Sequence, residues 1–206
     1  MEFYENSQSP ERALLIGVDT GEYNAEISME ELALLSETAG AEIIGTVIQK
    51  LEAPSPATYI GSGRMSEVAA FCRNNDIDLI IADSELTPSQ INNIETKTDT
   101  RVVDRTMLIL DIFAARARSS EGKLQVELAQ LEYMLPRLRG WGGSLSRQAG
   151  GRAAGDAGLG SRGPGETKIE MDRRVIRSRI AKLRRQIAQM APARDVKRGA
   201  RRRFGL

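Results

Sequence analysis

The chain has 206 residues, with 29 Lys and Arg against 28 Asp and Glu, one cysteine and no histidine. This length fits one or two domains. Without histidine a Ser-His-Asp triad is excluded and the commonest metal ligand is missing, and the single Cys72 excludes an intramolecular disulfide. No apolar run approaches the roughly 20 residues that cross a bilayer, and the acidic N-terminus is unlike a signal peptide. We therefore expect a cytoplasmic protein without a membrane span.

The charge is divided unevenly along the chain. Residues 1–136 contain 10 Lys and Arg against 23 Asp and Glu, a net charge of −13, whereas residues 137–206 contain 19 against 5, a net charge of +14. Such asymmetry indicates a segment that binds a polyanion, attached to an ordinary acidic domain.

The first 104 residues alternate between strand and helix patterns. Short apolar runs predict strands at 12–18, 41–50, 77–83 and 100–104, and amphipathic patterns predict helices at 28–40, 62–76 and 87–98. Ser28 with Glu31 resembles a capping box, and Thr87 with Pro88 is a second helix start. The alternation predicts an α/β fold, with a small parallel β-sheet and flanking helices on both faces, over residues 1–104.

A helical pattern follows from Arg105. Apolar residues at 4-3 spacing up to Leu135 predict one helix of about 30 residues, or ~45 Å at 1.5 Å per residue. A second apolar stripe runs from Ile169 to Met190. The two stripes predict a long antiparallel α-helical hairpin over residues 105–192, with Pro136 and Pro192 near the helix ends and a basic linker at 193–206.

A glycine-rich loop, residues 138–165, joins the two predicted helices and contains ten glycines in 28 residues. It has no G-x-x-x-x-G-K-[ST] pattern, so it does not predict a nucleotide-binding phosphate loop. Glycines allow close approach to a polyanion, arginines supply charge, and an indole stacks on a base. The loop is therefore a candidate RNA contact, with a flexible linker as the plain alternative; its charged and aromatic members are Arg139, Trp141, Arg147, Arg152 and Arg162.

The helix after this loop has a basic face, and a solvated surface is as good an interpretation of it as a polyanion site. Its members are Arg173, Arg174, Arg177, Arg184 and Arg185. In the first half of the chain, Gly61 and Gly63 precede a helix and Asp83 follows a strand. These are weak signals of a ligand site, and turn or capping roles are favoured.

The sequence resembles the N-terminal region of the HflX family of ribosome-associated GTPases. The resemblance rests on four segments that together extend over nearly the whole chain: TYIGSGR at 58–64, DRTMLILDIFAARARSSEGKLQVELAQLEYMLPRL at 104–138, LSRQAGG at 145–151 and RGPGETKIEMDRRVIRSRIAKL at 162–183. The chain departs from the family pattern in lacking the family's G domain, and Arg152–Leu159 lengthens the loop.

The resemblance implies a fold of an α/β subdomain, a helical hairpin and then a G domain. It also implies binding to the large ribosomal subunit and its RNA, and separation or rescue of ribosomes under stress. The hairpin loop would be the arm into the peptidyl transferase centre, a role that falls on Arg162, Gly163, Pro164, Gly165 and Glu166. GTP and Mg²⁺ would serve the full-length protein, and no cofactor or GTP turnover is expected of this chain, which we expect to be a monomer.

Two other interpretations stay open at this point. The α/β subdomain is itself a candidate for binding or hydrolysing a nucleotide, around Gly61, Gly63 and Asp83. Alternatively, the helices form a coiled-coil module that pairs only with protein.

Overall fold

A computed structural model describes residues 10–139 and 164–203, with side chains at 10–138 and 170–190. The chain divides into two compact units, Met1–Ile112 and Phe113–Leu206. The first is an α/β unit and the second is helical.

The α/β unit contains four strands and four helices. The strands are β1 (Glu11–Asp19), β2 (Ala41–Lys50), β3 (Leu79–Ala82) and β4 (Arg101–Asp104), and the helices are α1 (Ala25–Thr38), α2 (Ser62–Asn74), α3 (Pro88–Thr98) and α4 (Arg105–Arg116). All strands are parallel, in the order β2-β1-β3-β4. The small parallel sheet predicted from the sequence is confirmed.

Helices cover both faces of this sheet. On one face, α1 and α4 place Leu32 and Leu108 in a buried cluster with Leu15 and Ile81. On the other face Phe71 of α2 lies close to Leu14 and Gly45, where a Cβ atom would approach the Phe71 ring to 3.1 Å. Leu108 and Ile112 of α4 belong to the core of the sheet, so this unit extends past Asp104.

β2 is an edge strand with an irregular register. Ala13 of β1 pairs with Ile43 and Leu14 pairs with Gly45, so Ile44 is an extra residue in β2. Such an insertion is a β-bulge, which bends the strand and interrupts its ladder.

The N-terminal caps of α3 and α1 can be compared with those predicted from the sequence. Thr87 caps α3 with a complete capping box to Gln90, and Pro88 occupies the first turn, as predicted. The predicted cap of α1 at Ser28 was wrong. Asn24 caps that helix by accepting a hydrogen bond from the amide of Ile27 at 3.1 Å, because the buried positions begin one turn earlier, at Ala25.

The helical unit contains α5 (Ser120–Met134), a 3-10 helix (Leu135–Arg139) and α6 (Pro164–Arg203). The single helix predicted from Arg105 to Leu135 was wrong, because α4 ends at Arg116 and α5 begins afresh. Ser119 caps α5 by accepting from the amide of Gly122, and a Cβ atom on Gly122 would come within 2.9 Å of that hydroxyl. The predicted end near Pro192 was also wrong, since α6 continues to Arg203.

Candidate nucleic-acid interface

α6 packs on α5 and the 3-10 helix through one apolar side. Ile180 and Leu183 are buried, and Leu138 of the 3-10 helix is buried in the same unit. This fixes which side of α6 meets protein. The opposite side, which includes Arg174 and Arg185, is exposed.

Two arginines beside the apolar stripe pair with glutamates of α5. Arg179 forms a two-point contact with Glu127, with Nε–Oε1 at 2.6 Å and Nη2–Oε2 at 2.8 Å. Arg184 donates to Glu132 at 2.7 Å. Hydrogen bonding to Glu127 raises the pKa of Arg179 further, so the guanidinium is charged at every working pH. These cations are engaged within the unit.

Five other cations of α6 have no acidic partner among the described side chains; they are Arg173, Arg174, Arg177, Lys182 and Arg185. Residues 170–190 contain only two acids, Glu170 and Asp172. The excess of positive charge is therefore not neutralised within this part of the molecule.

Open grooves run along the basic surface of α6. One, of about 600 Å³, is lined by Glu170, Met171, Arg173, Arg174 and Arg177. The next, of about 510 Å³, is lined by Arg174, Val175, Ser178, Arg179 and Lys182. Small Ser178 leaves space between long basic side chains. Such a surface fits an extended anionic backbone better than a small molecule.

The predicted contact residues are placed only in part. Arg174 and Arg177 are exposed on α6, and Arg173 is half-buried, with its Nε buried and without a hydrogen bond. Pro164, Gly165 and Glu166 belong to the first turn of α6, and Arg139 ends the 3-10 helix. The remaining predicted contacts lie outside the described residues; they are Trp141, Arg147, Arg152, Arg162 and Gly163.

The sequence placed Arg184 on the basic face of α6 and did not single out Lys182. In the structure Arg184 pairs with Glu132, and Lys182 lines a groove. The sequence contains a signal for the ion pair of Arg184 with Glu132. Arg184 directly follows the apolar position Leu183, as Glu132 follows Leu131, and positions flanking an apolar seam form interhelical ion pairs.

The carboxyl end of the sheet is the other place where a ligand site was considered. In open α/β sheets the favoured position is the point where the strand order reverses, here between β1 and β3. Tyr59 occupies it, with 2% of the residue exposed. Its hydroxyl accepts from the amide of Val18 and donates to Ser84, both at 3.2 Å, so it joins the ends of β1 and β3.

Tyr59 has a φ of 65°, in the left-handed region that bulky residues rarely adopt. Its neighbours hold the segment in place. Ser55 and Tyr59 exchange backbone hydrogen bonds, and Gln90 of α3 donates to the carbonyl of Ser55 at 2.8 Å. Burial raises the pKa of Tyr59 above its usual value, and that of Tyr23 nearby is raised for the same leading reason.

Asp83 forms a buried ion pair at the same edge. Its side chain is 2% exposed and accepts from Nη1 of Arg105 at 2.8 Å. Arg105 also donates to Ser28 at 2.9 Å and pairs with Glu31 at 2.5 Å. Asp83 therefore links β3 to α4 and, through Arg105, to α1. In the turn after β3, where a turn or capping role was favoured for Asp83, the side chain of Asp104 instead accepts from the amide of Leu86 at 3.1 Å.

Gly61, the other candidate at this edge, is also engaged, because its amide donates to Gln49 at 2.8 Å. Across residues 10–138 and 170–190 there is no cluster of acidic or thiol side chains that would hold a metal ion. Neither of the described stretches of chain includes a helix with the length and apolar character needed to cross a bilayer. The basic surface of α6 is the stronger candidate site.

Comparison with protein families matches two models along this chain. "GTP-binding GTPase N-terminal" matches residues 26–114, and "GTP-binding GTPase Middle Region" matches residues 116–201. The first covers most of the sheet and the second covers α5 and nearly all of α6.

Curated relatives include GTPase HflX of Caldanaerobacter subterraneus, 47% identical over 97% of this chain and 45% of its own length. GTPase HflX of Escherichia coli is 37% identical over 96% of this chain and again 45% of its own length. The chain thus spans about half the length of the relatives it matches.

Among solved structures, a GTP-binding protein of Sulfolobus solfataricus in complex with GDP is similar with a TM-score of 0.58 at 22% identity. The likeness covers 88% of this chain and 46% of the other. A complex of SsGBP with GDP gives a TM-score of 0.62 at 23% identity, over 90% of this chain and 45% of the other. Identities this low show the fold alone.

Proposed function

Since the chain belongs to the HflX family and corresponds to its N-terminal region, we propose that it binds ribosomal RNA of the large ribosomal subunit through the solvent side of α6. The single observation that supports this most is the set of five α6 cations without an acidic partner among the described side chains. A polyanion neutralises such a surface and releases its condensed counterions on binding.

We further propose that α5 and α6 form an antiparallel hairpin. Glu127 and Arg179 each directly precede an apolar seam residue, Leu128 or Ile180, and Glu132 and Arg184 each directly follow one. The two ion pairs flank the apolar seam and hold α5 against α6. The antiparallel direction itself rests on the resemblance to the helical hairpin of the family.

In sequence, the glycine-rich loop connects the two helices of the proposed hairpin. Its arginines and Trp141 would supply the contacts that select a ribosomal position, while α6 supplies most of the affinity. The stretch from Arg162 to Glu166 would be the part that enters the peptidyl transferase centre. The family resemblance supports a role in separating or rescuing ribosomes under stress, in the cytoplasm and with one copy per ribosome.

GTP and Mg²⁺ binding belong, in this proposal, to the part of the full-length relatives that this chain does not match. The isolated 206-residue chain should accordingly show no GTP turnover. A purified preparation that hydrolyses GTP at a rate unaffected by further purification would contradict that assignment.

The test of RNA binding is a salt series with purified large subunits, measured by pelleting. Arg173, Arg174 and Arg177 are replaced together by alanine. The slope of log affinity against log salt should decrease by about 2 to 3, since each lost phosphate contact contributes roughly 0.7 to 0.9.

A matched variant replaces three exposed arginines elsewhere, Arg64, Arg73 and Arg118, by alanine and should keep the original slope. Equal slopes for the two variants would show that charge in general, rather than the α6 surface, governs the interaction. The proposal would then be wrong.

A further inference from the structure

The solvent side of α1 combines exposed apolar residues with unpaired carboxylates. Ile27 and Leu34 are 62% and 65% exposed and lie two turns apart on the same side of the helix. Glu26, Glu30 and Glu37 flank them and form no ion pair with any described side chain. Such a surface suits a helix that is basic and apolar.

The solvent side of α6 has the complementary character. Met171 and Val175 are 56% and 65% exposed, one turn apart. Arg174 and Lys182 lie beside them around the groove over Ser178. From Met171 to Lys182 this surface extends ~16 Å, which is long enough to face α1 from Ile27 to Leu34, ~10 Å at 1.5 Å per residue.

We propose that two copies of this chain associate by docking α1 of one copy on α6 of the other. Ile27 and Leu34 pack against Met171 and Val175, and the α1 glutamates pair with Arg174 and Lys182. Each copy has both surfaces, so in the proposed dimer the contact forms in both directions between the two copies.

The inference deepens the proposed function, because the α6 surface in the dimer is the one assigned to ribosomal RNA. Self-association therefore covers the RNA-binding surface, and the two partners compete for it. The dimer is the form of the free chain, and the RNA-bound chain is a single copy.

The test is sedimentation velocity of the whole chain over a concentration series at low salt. The native chain should shift from monomer to dimer with concentration. Glu30→Lys with Glu37→Lys should weaken the dimer by about tenfold or more, because like charges then face each other in both contacts. Arg174→Glu with Lys182→Glu should do the same. The matched control, Glu42→Lys with Glu52→Lys, makes the same charge change at exposed positions outside α1 and should leave the dimer unchanged.

Mixing the two charge-reversed variants is the decisive measurement. The basic α1 of one then faces the acidic α6 of the other, and the second contact is native, so a mixed dimer should form although neither variant dimerises alone. Absence of the mixed dimer, or a native chain that stays monomeric at every concentration, would overturn the proposal even if RNA binding holds.

Adding ribosomal RNA to the native dimer separates the two proposals. Conversion to an RNA-bound monomer supports both. A dimer that persists while RNA binds contradicts the competition and shows that RNA uses another surface. The proposed RNA-binding role of α6 would then be wrong, while the proposed self-association would be supported.

Discussion

The carboxyl end of the sheet and the solvent side of α6 are both rich in polar residues, but they differ in where those residues find partners. At the sheet, Asp83 binds Arg105, Tyr59 binds Val18 and Ser84, and Gly61 binds Gln49. On α6, Arg174 and Lys182 have no acidic partner among the described side chains. Polar groups that satisfy one another stabilise a fold, whereas charges left unpaired in solvent are available to a second molecule.

The largest effect should come from the core of the α/β unit. Leu32 of α1 is fully buried, so Leu32→Ala should lower the free energy of unfolding by about 3 kcal/mol through lost contacts and a cavity. Leu34→Ala, the same change two residues away at a 65% exposed site, should stay within about 0.5 kcal/mol. Urea unfolding followed by circular dichroism at low protein concentration measures both. Equal losses would mean that α1 does not pack as described.

Asp83→Ala should have the next largest effect, a loss of about 2 kcal/mol of unfolding free energy. It leaves the partly buried Arg105 with the exposed Glu31 as its one acidic partner among the described side chains. Glu31→Ala removes the exposed partner of the same arginine and should cost less than about 1 kcal/mol. Thermal unfolding of the two variants compares them directly. A neutral or stabilising Asp83→Ala would favour a ligand-binding role for this carboxylate. The sheet edge would then resemble α6 in having a charge that is available to a second molecule.

Tyr59 should make the α/β unit sensitive to alkaline pH. Burial raises the pKa of Tyr59 in the folded chain above the value near 10 of an unfolded tyrosine. Folding therefore favours the protonated phenol. The contribution of this group to the unfolding free energy is fully present below pH ~10 and is lost as the pH rises through the folded pKa. Tyr59→Phe should cost about 1–2 kcal/mol at pH 8 by removing the hydroxyl hydrogen bonds. Tyr59→Phe should also reduce the loss of unfolding free energy that occurs above pH ~10.

Unfolding free energies of the native chain and Tyr59→Phe at pH 8, 9, 10 and 11 test this prediction. Tyr23 and Cys72 also have raised pKa values from burial, so some alkaline loss should remain in the variant. An identical pH profile in both proteins would show that Tyr59 is not protected from solvent as the structure indicates.

The smallest effect should come from the exposed pair of Glu132 and Arg184. A double-mutant cycle to alanine should give a coupling of about 0.2–1 kcal/mol that decreases with added salt. Arg185, whose Nε donates to the carbonyl of Ala181 at 3.3 Å and which forms no ion pair with a described side chain, should show no coupling to Glu132. Coupling to Arg185 rather than Arg184 would place the helices in another register.

The sequence was sufficient for features set by local patterns. The predicted span 41–50 coincides with β2, and the Thr87 start of α3 is confirmed, because alternation, capping and proline act over a few residues. The sequence pattern does not reveal the break before Ser120, because an apolar stripe at helical spacing continues through it and the Ser119 cap lies within that stripe. A periodic pattern shows which face is apolar, but it does not show that one helix is continuous.

The candidate site was predictable to a similar extent. The charge excess of α6 follows from composition, and Arg174 and Arg177 are exposed as a basic face requires. Which arginines are free depends on the glutamates of α5, as in the pair of Arg184 with Glu132, 52 residues earlier. The roles of Tyr59 and Arg105 depend on the neighbouring positions of β1, β3 and α1, which no local pattern encodes.

The bulge at Ile44 bears on how the protein behaves in a crowded solution. β2 is ten residues long and forms the outer edge of the sheet, and a long flat edge invites a foreign strand to add to it. One extra residue between Ile43 and Gly45 breaks the regular spacing of the outward amides and carbonyls, and Glu42 and Lys50 place charges near the two ends of the strand. The open edge is thereby a poor template for cross-β growth, and the α/β unit should resist aggregation at the concentrations that ribosome-binding assays require.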